Sequence, residues 1–224
     1  MTTLIRTIII LGCLVYISSS KPLQRTKRYT VPFWHLPCGE VIRPEPSDVS
    51  DEEIKSRLES IKLQHQLTLN DYLNRDYGFL YERVRIGVHH HQYIPNWIPG
   101  KEEVNSVRAL RGESMQLIVS YLPQFHIDLQ KFAVAIEELL NDQTTLKIRE
   151  ALRATRSYLQ MMLCELESNI AVFPDIALEV RVNRNIMSPV ERDPVDETRR
   201  LVRDWGVLLK YRNYLHAWRY VFDY

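Results

Sequence analysis

The lengths of chain between four helix-forming stretches constrain this sequence more than any single motif. Residues 50–53 read Ser-Asp-Glu-Glu, an S-x-x-E capping box in which serine and glutamate each satisfy a free backbone amide at a helix start. Behind it Ile54, Leu58, Ile61, His65, Leu69 and Tyr72 recur every three or four residues and predict a helix ending near Gly78. His65 lies on that apolar stripe, where a buried, hydrogen-bonded histidine or one near a helix edge is the expectation rather than a ligand. A second helical region spans residues 101–141, with Val104, Val107, Leu110, Ser114, Ile118, Tyr121, Phe125, Leu129, Phe132, Ile136 and Leu139 on one side. Pro123 lies within it, and its missing N–H predicts a kink or break at Leu122-Pro123. A third helix runs to about residue 171 on a stripe of Ile148, Leu152, Thr155, Leu159, Met162, Leu166 and Ile170, with Cys164 well off that stripe. The fourth begins after Pro194, where Asp196 and Glu197 suit a helix N-terminus. Its stripe is Leu201, Trp205, Leu208, Tyr211, Leu215, Trp218 and Phe222, which leaves Arg203, Lys210, Asn213, Tyr214, Arg200 and Arg219 expected at least partly at the surface.

Connection lengths then select a topology. About 22 residues (79–100) join the first two helices, only 142–145 join the second and third, and about 24 (172–195) join the last two. A short link forces antiparallel neighbours, whereas a long one can run the length of a bundle and allow successive helices to point the same way. Long, short, long predicts an all-α, up-up-down-down four-helix bundle with two long crossover connections. With seven glycines and no alternating strands bounded by Asn-Gly or Asp-Gly turns, a β-sandwich is disfavoured.

Residues 7–17 (TIIILGCLVYI) are apolar, follow Arg6 and precede three serines, which is the pattern of a signal peptide over 1–20. The run is too short for a membrane span, which needs about 20 apolar residues. A secreted, extracellular protein without membrane insertion is expected. Arg25-Thr26-Lys27-Arg28 has the form read by furin-like proteases, so 21–28 is a candidate propeptide cut after Arg28, leaving 29–224 as a single helical domain. The whole chain carries +1; Arg6 is the one charge in 1–20, so its loss gives 0, and loss of Lys21, Arg25, Lys27 and Arg28 gives −4. Neither form is basic enough to suggest nucleic acid or heparin as the main partner. Discarding Cys13 with the signal peptide leaves Cys38 and Cys164, and a lone pair in an oxidising compartment most simply forms one disulfide. No N-x-S/T sequon occurs.

Enzyme motifs are missing: there is no glycine-rich phosphate loop, H-E-x-x-H or G-x-S-x-G, and no second cysteine cluster for zinc. No catalytic residue, cofactor or metal is assigned. His89-His90-His91 sit in the first long connection, where adjacent histidines on an extended chain point apart and suit a solvated or partner-facing loop better than one metal site.

Two segments resemble a family. LQMMLCELESNI near the end of the third helix is similar to the segment that, in leukaemia inhibitory factor and oncostatin M, bonds a cysteine just before the first helix, and Cys164 and Cys38 hold those two positions. WGVLLKYRNYLHAWRYVF resembles the final helix of the same proteins, including its Trp-Gly pair. The chain thus looks like a long-chain helical cytokine of the interleukin-six class, akin to leukaemia inhibitory factor, ciliary neurotrophic factor and the insect Unpaired type. One departure stands out: where family members that use the leukaemia inhibitory factor receptor carry Phe-x-x-Lys, this chain has Arg200 and Arg203. The resemblance implies a ligand, monomeric when free, that cross-links class I cytokine receptor chains and activates their Janus kinases and STAT proteins. Candidate contacts are Arg212 and Arg219 with Trp97, the faces bearing Lys62, Gln66, Arg153 and Gln160, and Arg200 with Arg203. The alternative is a secreted helical carrier of a lipid or small hydrophobic ligand.

Overall fold

The computed structural model describes residues 30–40, 49–75, 77, 93–143, 145–173, 176–178 and 181–224. The expected signal peptide and propeptide with Arg28, the helix end at Gly78 and the cluster His89 to His91 lie outside the described residues. Two compact units divide the chain, Met1–Val31 and Pro32–Tyr224, and every element described below belongs to the second.

Among the described residues regular structure is helical, with no strand. The elements are α1 (Asp51–Leu73), α2 (Lys101–Arg108), α3 (Met115–Ser120), α4 (Leu122–Asp142), α5 (Leu146–Ile170), a single 3₁₀ turn (Arg184–Ile186), α6 (Pro189–Arg192) and α7 (Glu197–Phe222). One half of the predicted capping box forms: Ser50 accepts from the Glu53 amide at 3.2 Å, while the Glu53 carboxylate pairs with Arg57 at 3.1 Å. Asp196 caps α7, accepting from the Arg199 amide at 2.8 Å.

The region predicted as one helix with a break at Leu122-Pro123 is broken twice. α2 stops at Arg108, Gly112 takes φ +77° in the following turn, and Ser114 caps α3 by accepting from the Leu117 amide at 3.2 Å. Ser114, placed on the apolar stripe by spacing, is therefore an exposed cap. A second break falls at Tyr121, and Pro123 becomes the second residue of α4, where no helical acceptor awaits its absent N–H.

α1 and α4 each pack against both α5 and α7, α2 lies on α7, and α3 touches α1 and α4. Contacts fix the directions. Ser60 meets Glu165 and Tyr77 meets Thr155, so α1 and α5 run antiparallel. His65 meets Tyr224 while the Tyr72 hydroxyl donates to the Leu208 carbonyl, so α1 and α7 do as well. Phe125 stacks on Trp218 at 4.1 Å, Asp128 accepts from Tyr214 at 2.9 Å and Phe132 lies 5.1 Å from Tyr211, the same sense for α4 and α7. His126 bonds Glu167 and Arg149 donates to the Gln143 carbonyl across α4 and α5.

α7 departs furthest from a one-stripe reading. Its expected core residues Trp205, Leu208, Tyr211, Leu215 and Trp218 are buried, but so are Val202, Arg203, Asp204, Gly206, Val207, Tyr214, Ala217 and Val221. Arg203 and Tyr214, expected partly exposed, are both 0 % exposed, because α1, α2 and α4 enclose this helix from several sides at once. His65 is buried as its place on the stripe predicts, with Nδ1 2.6 Å from the Tyr224 hydroxyl. Burial, and then the field of His216, lowers its pKa to about 3, so the ring is neutral at ordinary pH.

The segment Pro32 to Cys38 forms a strap over α5 and the segment around Val182. The Trp34 indole, fully buried, donates to the Val182 carbonyl at 2.8 Å; Gln160 of α5 donates to the Pro37 carbonyl at 3.0 Å; and Cys38 is disulfide-bonded to Cys164. The bond closes a 126-residue separation, for which the chain-entropy account allows up to about 5 kcal/mol and real proteins typically show about 2–4 kcal/mol. Cys38→Ser is expected to lower Tm while far-UV circular dichroism stays helical, because the strap lies outside the helix contacts. A melt superimposable on wild type would remove the disulfide from the list of stabilising features.

Candidate functional site

Two surfaces collect the residues singled out by sequence. On the first, α1 and α5 lie side by side. Gln64 of α1 and Ser157, Gln160, Met161, Cys164 and Glu165 of α5 line one open groove, closed at its edge by Pro37 and Cys38. Lys62 pairs with Glu59 at 3.6 Å, Gln66 is half-buried and Arg153 is exposed. Gln160 differs from expectation in that its amide is engaged with the strap carbonyl of Pro37. Spacing arguments passed over exposed apolar residues on these two helices: Leu63 is 60 % exposed, and Leu67, one turn further on, and Met161 are each 47 % exposed. Leu63 and Leu67 stand at i and i+4 off the core stripe, a signal present in the sequence, since an apolar pair on the wrong face of an amphipathic helix has no core to enter.

The second surface is the end of the domain where α7 starts. Trp97 was grouped with Arg212 and Arg219, but its indole N–H donates to Glu191 at 3.2 Å, which places it with α6 and the start of α7. Glu191 also accepts from the Ser188 amide at 2.7 Å in a capping box that rigidifies this short helix. Around these lie exposed Val190 and Val195, Tyr93 with the Arg199 guanidinium 4.7 Å over its ring, and Arg200 paired with Asp193 at 3.3 Å.

Arg203 is not available to a partner. Its Nε and Nη2 donate to Asp204 at 2.9 and 2.7 Å, Nη2 also to Asp142 at 2.8 Å, and Nη1 to the carbonyls of Glu191 and Arg192 at 2.7 and 3.0 Å. Every N–H of the guanidinium thus has an acceptor within the fold. Burial pushes Asp204 up to about 6 even though Arg203 works in the opposite direction. The aligned pair is therefore split: Arg200 lies at the surface edge and Arg203 is an internal tie between α4, α6 and α7.

Residues 93–100 are held against α7 in two ways. Lys210 donates to the carbonyls of Pro95 and Ile98 at 3.3 and 3.0 Å, and its pKa is lowered by burial, with Glu103 opposing. Gly206 lets Ile94 sit on the helix, since a Cβ there would lie 2.2 Å from Ile94 Cδ1. The Trp-Gly pair thus has a steric reason. Arg212 and Arg219 lie at the other end of α7, half-buried and exposed respectively, with Arg219 donating to the Tyr224 carbonyl at 2.7 Å.

A further polar cluster serves the strap. Glu167, 1 % exposed, is bonded by His126 at 2.9 Å and by both terminal nitrogens of Arg181, while Gln130 links His126 to the Val182 amide. Burial raises the Glu167 pKa, but His126 and Arg181 outweigh it and the net shift is downward. Among the described residues no group of three His, Cys, Asp or Glu side chains could hold a metal ion. No helix among them is long and apolar enough to cross a membrane. Comparison of the chain with protein-family models, with curated proteins and with solved structures returns no match in any of the three.

Two outcomes check this geometry. Arg203→Glu is expected to lower stability by about 3–5 kcal/mol, because it sets a carboxylate against Asp142 and Asp204 in a closed site; an unchanged urea midpoint would return Arg203 to the surface. Gly206→Ala gains about 1 kcal/mol of helix propensity but meets Ile94, at about 1–3 kcal/mol for an overpacked contact. Alone it should be neutral to destabilising; combined with Ile94→Ala, the alanine at 206 should become stabilising. The absence of that sign change in a double-mutant cycle would mean that residues 93–100 do not rest on Gly206.

Proposed function

We propose that this protein is a secreted helical cytokine of the interleukin-six class that binds class I cytokine receptor chains on separate faces and brings their Janus kinases together. The observation that carries the reading is the pairing order of the four long helices. α1 and α4 are each antiparallel to both α5 and α7, which is what an up-up-down-down bundle requires. The connections agree: 74–121, holding α2 and α3, and 171–196, holding α6, are long, and only 143–145 separate α4 from α5. The cysteine bridge from a strap before α1 to the C-terminal part of α5 adds support from the resemblance.

In this reading the protein performs no chemistry, and affinity comes from a few anchors ringed by weaker contacts. The α1–α5 face supplies Leu63, Leu67 and Met161 as apolar anchors, with Lys62, Gln66 and Arg153 around them. The end bearing Trp97, Val190, Val195 and Arg200 supplies the second contact. Bridging two chains then follows from the rigidity of the helices between the two faces.

The test is STAT phosphorylation in cells displaying a panel of class I cytokine receptors, treated with purified protein beginning at Lys21 or at Tyr29. Phosphorylation is expected on at least one receptor, and Leu63→Glu with Leu67→Glu should reduce potency more than tenfold while the melting curve stays that of wild type. Silence on every receptor from a folded helical protein would overturn the reading, and a copurifying lipid would replace it with that of a carrier.

A further inference from the structure

Among the described residues some arginines are paired with acids and others, Arg149, Arg153 and Arg156 of α5 among them, are not. Arg57, Arg75, Arg181, Arg184, Arg192, Arg199, Arg200 and Arg203 each meet a carboxylate within 4 Å. At the end of the domain formed by the close of α2 and the last turns of α7, four arginines from two segments come together. Arg212 and Arg219 stand at i−4 and i+3 from His216, so the three share one helix face. Arg108 ends α2, which packs on α7, and its charge reaches His216 together with those of Arg212 and Arg219. Arg111 completes the group, its guanidinium 3.9 Å over the Tyr220 ring. Among the described residues no Asp or Glu carboxylate lies within ion-pair distance of Arg108, Arg212 or Arg219, and Arg219 donates to the backbone oxygen of Tyr224 at 2.7 Å. The acid that approaches is Asp223, 3.7 Å from Arg111 and itself 85 % exposed in its side chain.

Like charges brought together repel, and the contacts that hold Arg111 and Arg219, to the rings of Tyr220 and Tyr224, leave their charge facing outward. We propose that this end of the protein is a binding surface for a linear sulfated polysaccharide. Charge complementarity selects a polyanion. Guanidinium forks donate two parallel hydrogen bonds to an oxyanion, so a row of them suits repeated sulfates. Arg212 to Arg219 covers about 10 Å of helix axis at 1.5 Å per residue, and Arg108 and Arg111 widen the row, which is more than one isolated phosphate needs. An acidic protein surface fits less well, because the centre of a protein interface favours desolvated apolar anchors, and here the exposed aromatic ring, Tyr220, is roofed by Arg111. The near-neutral charge of the whole chain conceals this surface, since the fold gathers residues that lie far apart in sequence.

The proposal does not depend on receptor binding and is tested without a receptor. Purified full-length protein is passed over immobilised heparin at 150 mM salt, and affinity for soluble heparin is titrated for three proteins: wild type, Arg108→Ser/Arg212→Ser/Arg219→Ser, and Lys55→Ser/Lys62→Ser/Arg153→Ser. Both triples remove the same charge, and both keep the basic run within 21–28, so the difference between them reports this surface alone. Wild type should be retained and released by added salt, the first triple should lose at least tenfold in affinity with an unchanged melting temperature, and the second should stay within twofold of wild type. Failure of wild type to bind overturns the proposal, as does equal loss in both triples, which would mean that only net charge matters. Binding to desulfated heparin, to single-stranded DNA or to phosphatidylserine vesicles as tight as to heparin also overturns it, because the surface would then not be selective for the sulfated chain. A STAT response with no heparin binding would leave the cytokine reading intact and remove this one.

Discussion

Much of the architecture turns on one buried guanidinium. Arg203 draws the C-terminal end of α4, the carbonyls that close α6 and the second turn of α7 onto a single planar group. Such a group is costly to bury and is tolerated only when each donor is matched. The match here is with two carboxylates and two carbonyls from three elements, so sliding α7 by a turn would strand the charge and both acids at once. The α6 segment that Arg203 holds also carries Glu191, and Glu191 in turn holds Trp97. An internal ion pair thereby fixes the position of residues at the surface.

Much of the helix layout was legible in the sequence, because caps and period-3.6 stripes are local signals. Ser50, Asp196 and the stripes of α1, α5 and α7 announced themselves in this way. The break after Arg108 was not, since it depends on Gly112 adopting positive φ, and spacing alone carries a stripe smoothly across that turn. Nor could a one-face reading anticipate the burial of Arg203 and Tyr214. A helix with neighbours on several sides buries polar residues whose partners lie on other elements: Asp142 for the first and Asp128 for the second. Trp97 was assigned to the wrong end for the same reason, as loop paths are set by tertiary contacts such as Lys210 with Pro95 and Ile98.

The strap and the second long connection form one unit. Trp34 and Arg181 reach across to each other's segment; Arg181 rests directly on the polar cluster of His126, Gln130 and Glu167, and Trp34 is linked to it through Val182. The covalent bond at Cys38 anchors only the outer end of that unit; the inner end is held by hydrogen bonds and by the Trp34 ring, which Arg184 covers at 5.5 Å. Arg184 is itself gripped by Glu137 at 2.7 and 2.9 Å. Surface loops here are thus pinned to α4 and α5 through buried polar groups, while α1 and α7 meet through aromatic rings and backbone carbonyls.

The contact between Ile94 and Gly206 has an evolutionary corollary. Two positions that share so little space cannot drift independently: a lineage that places a side chain at 206 must first shrink residue 94 or lift its loop from the helix. Among descendants of a common ancestor these two sites would change as a pair. A glycine retained at 206 would then record where the loop lies rather than any direct part in binding.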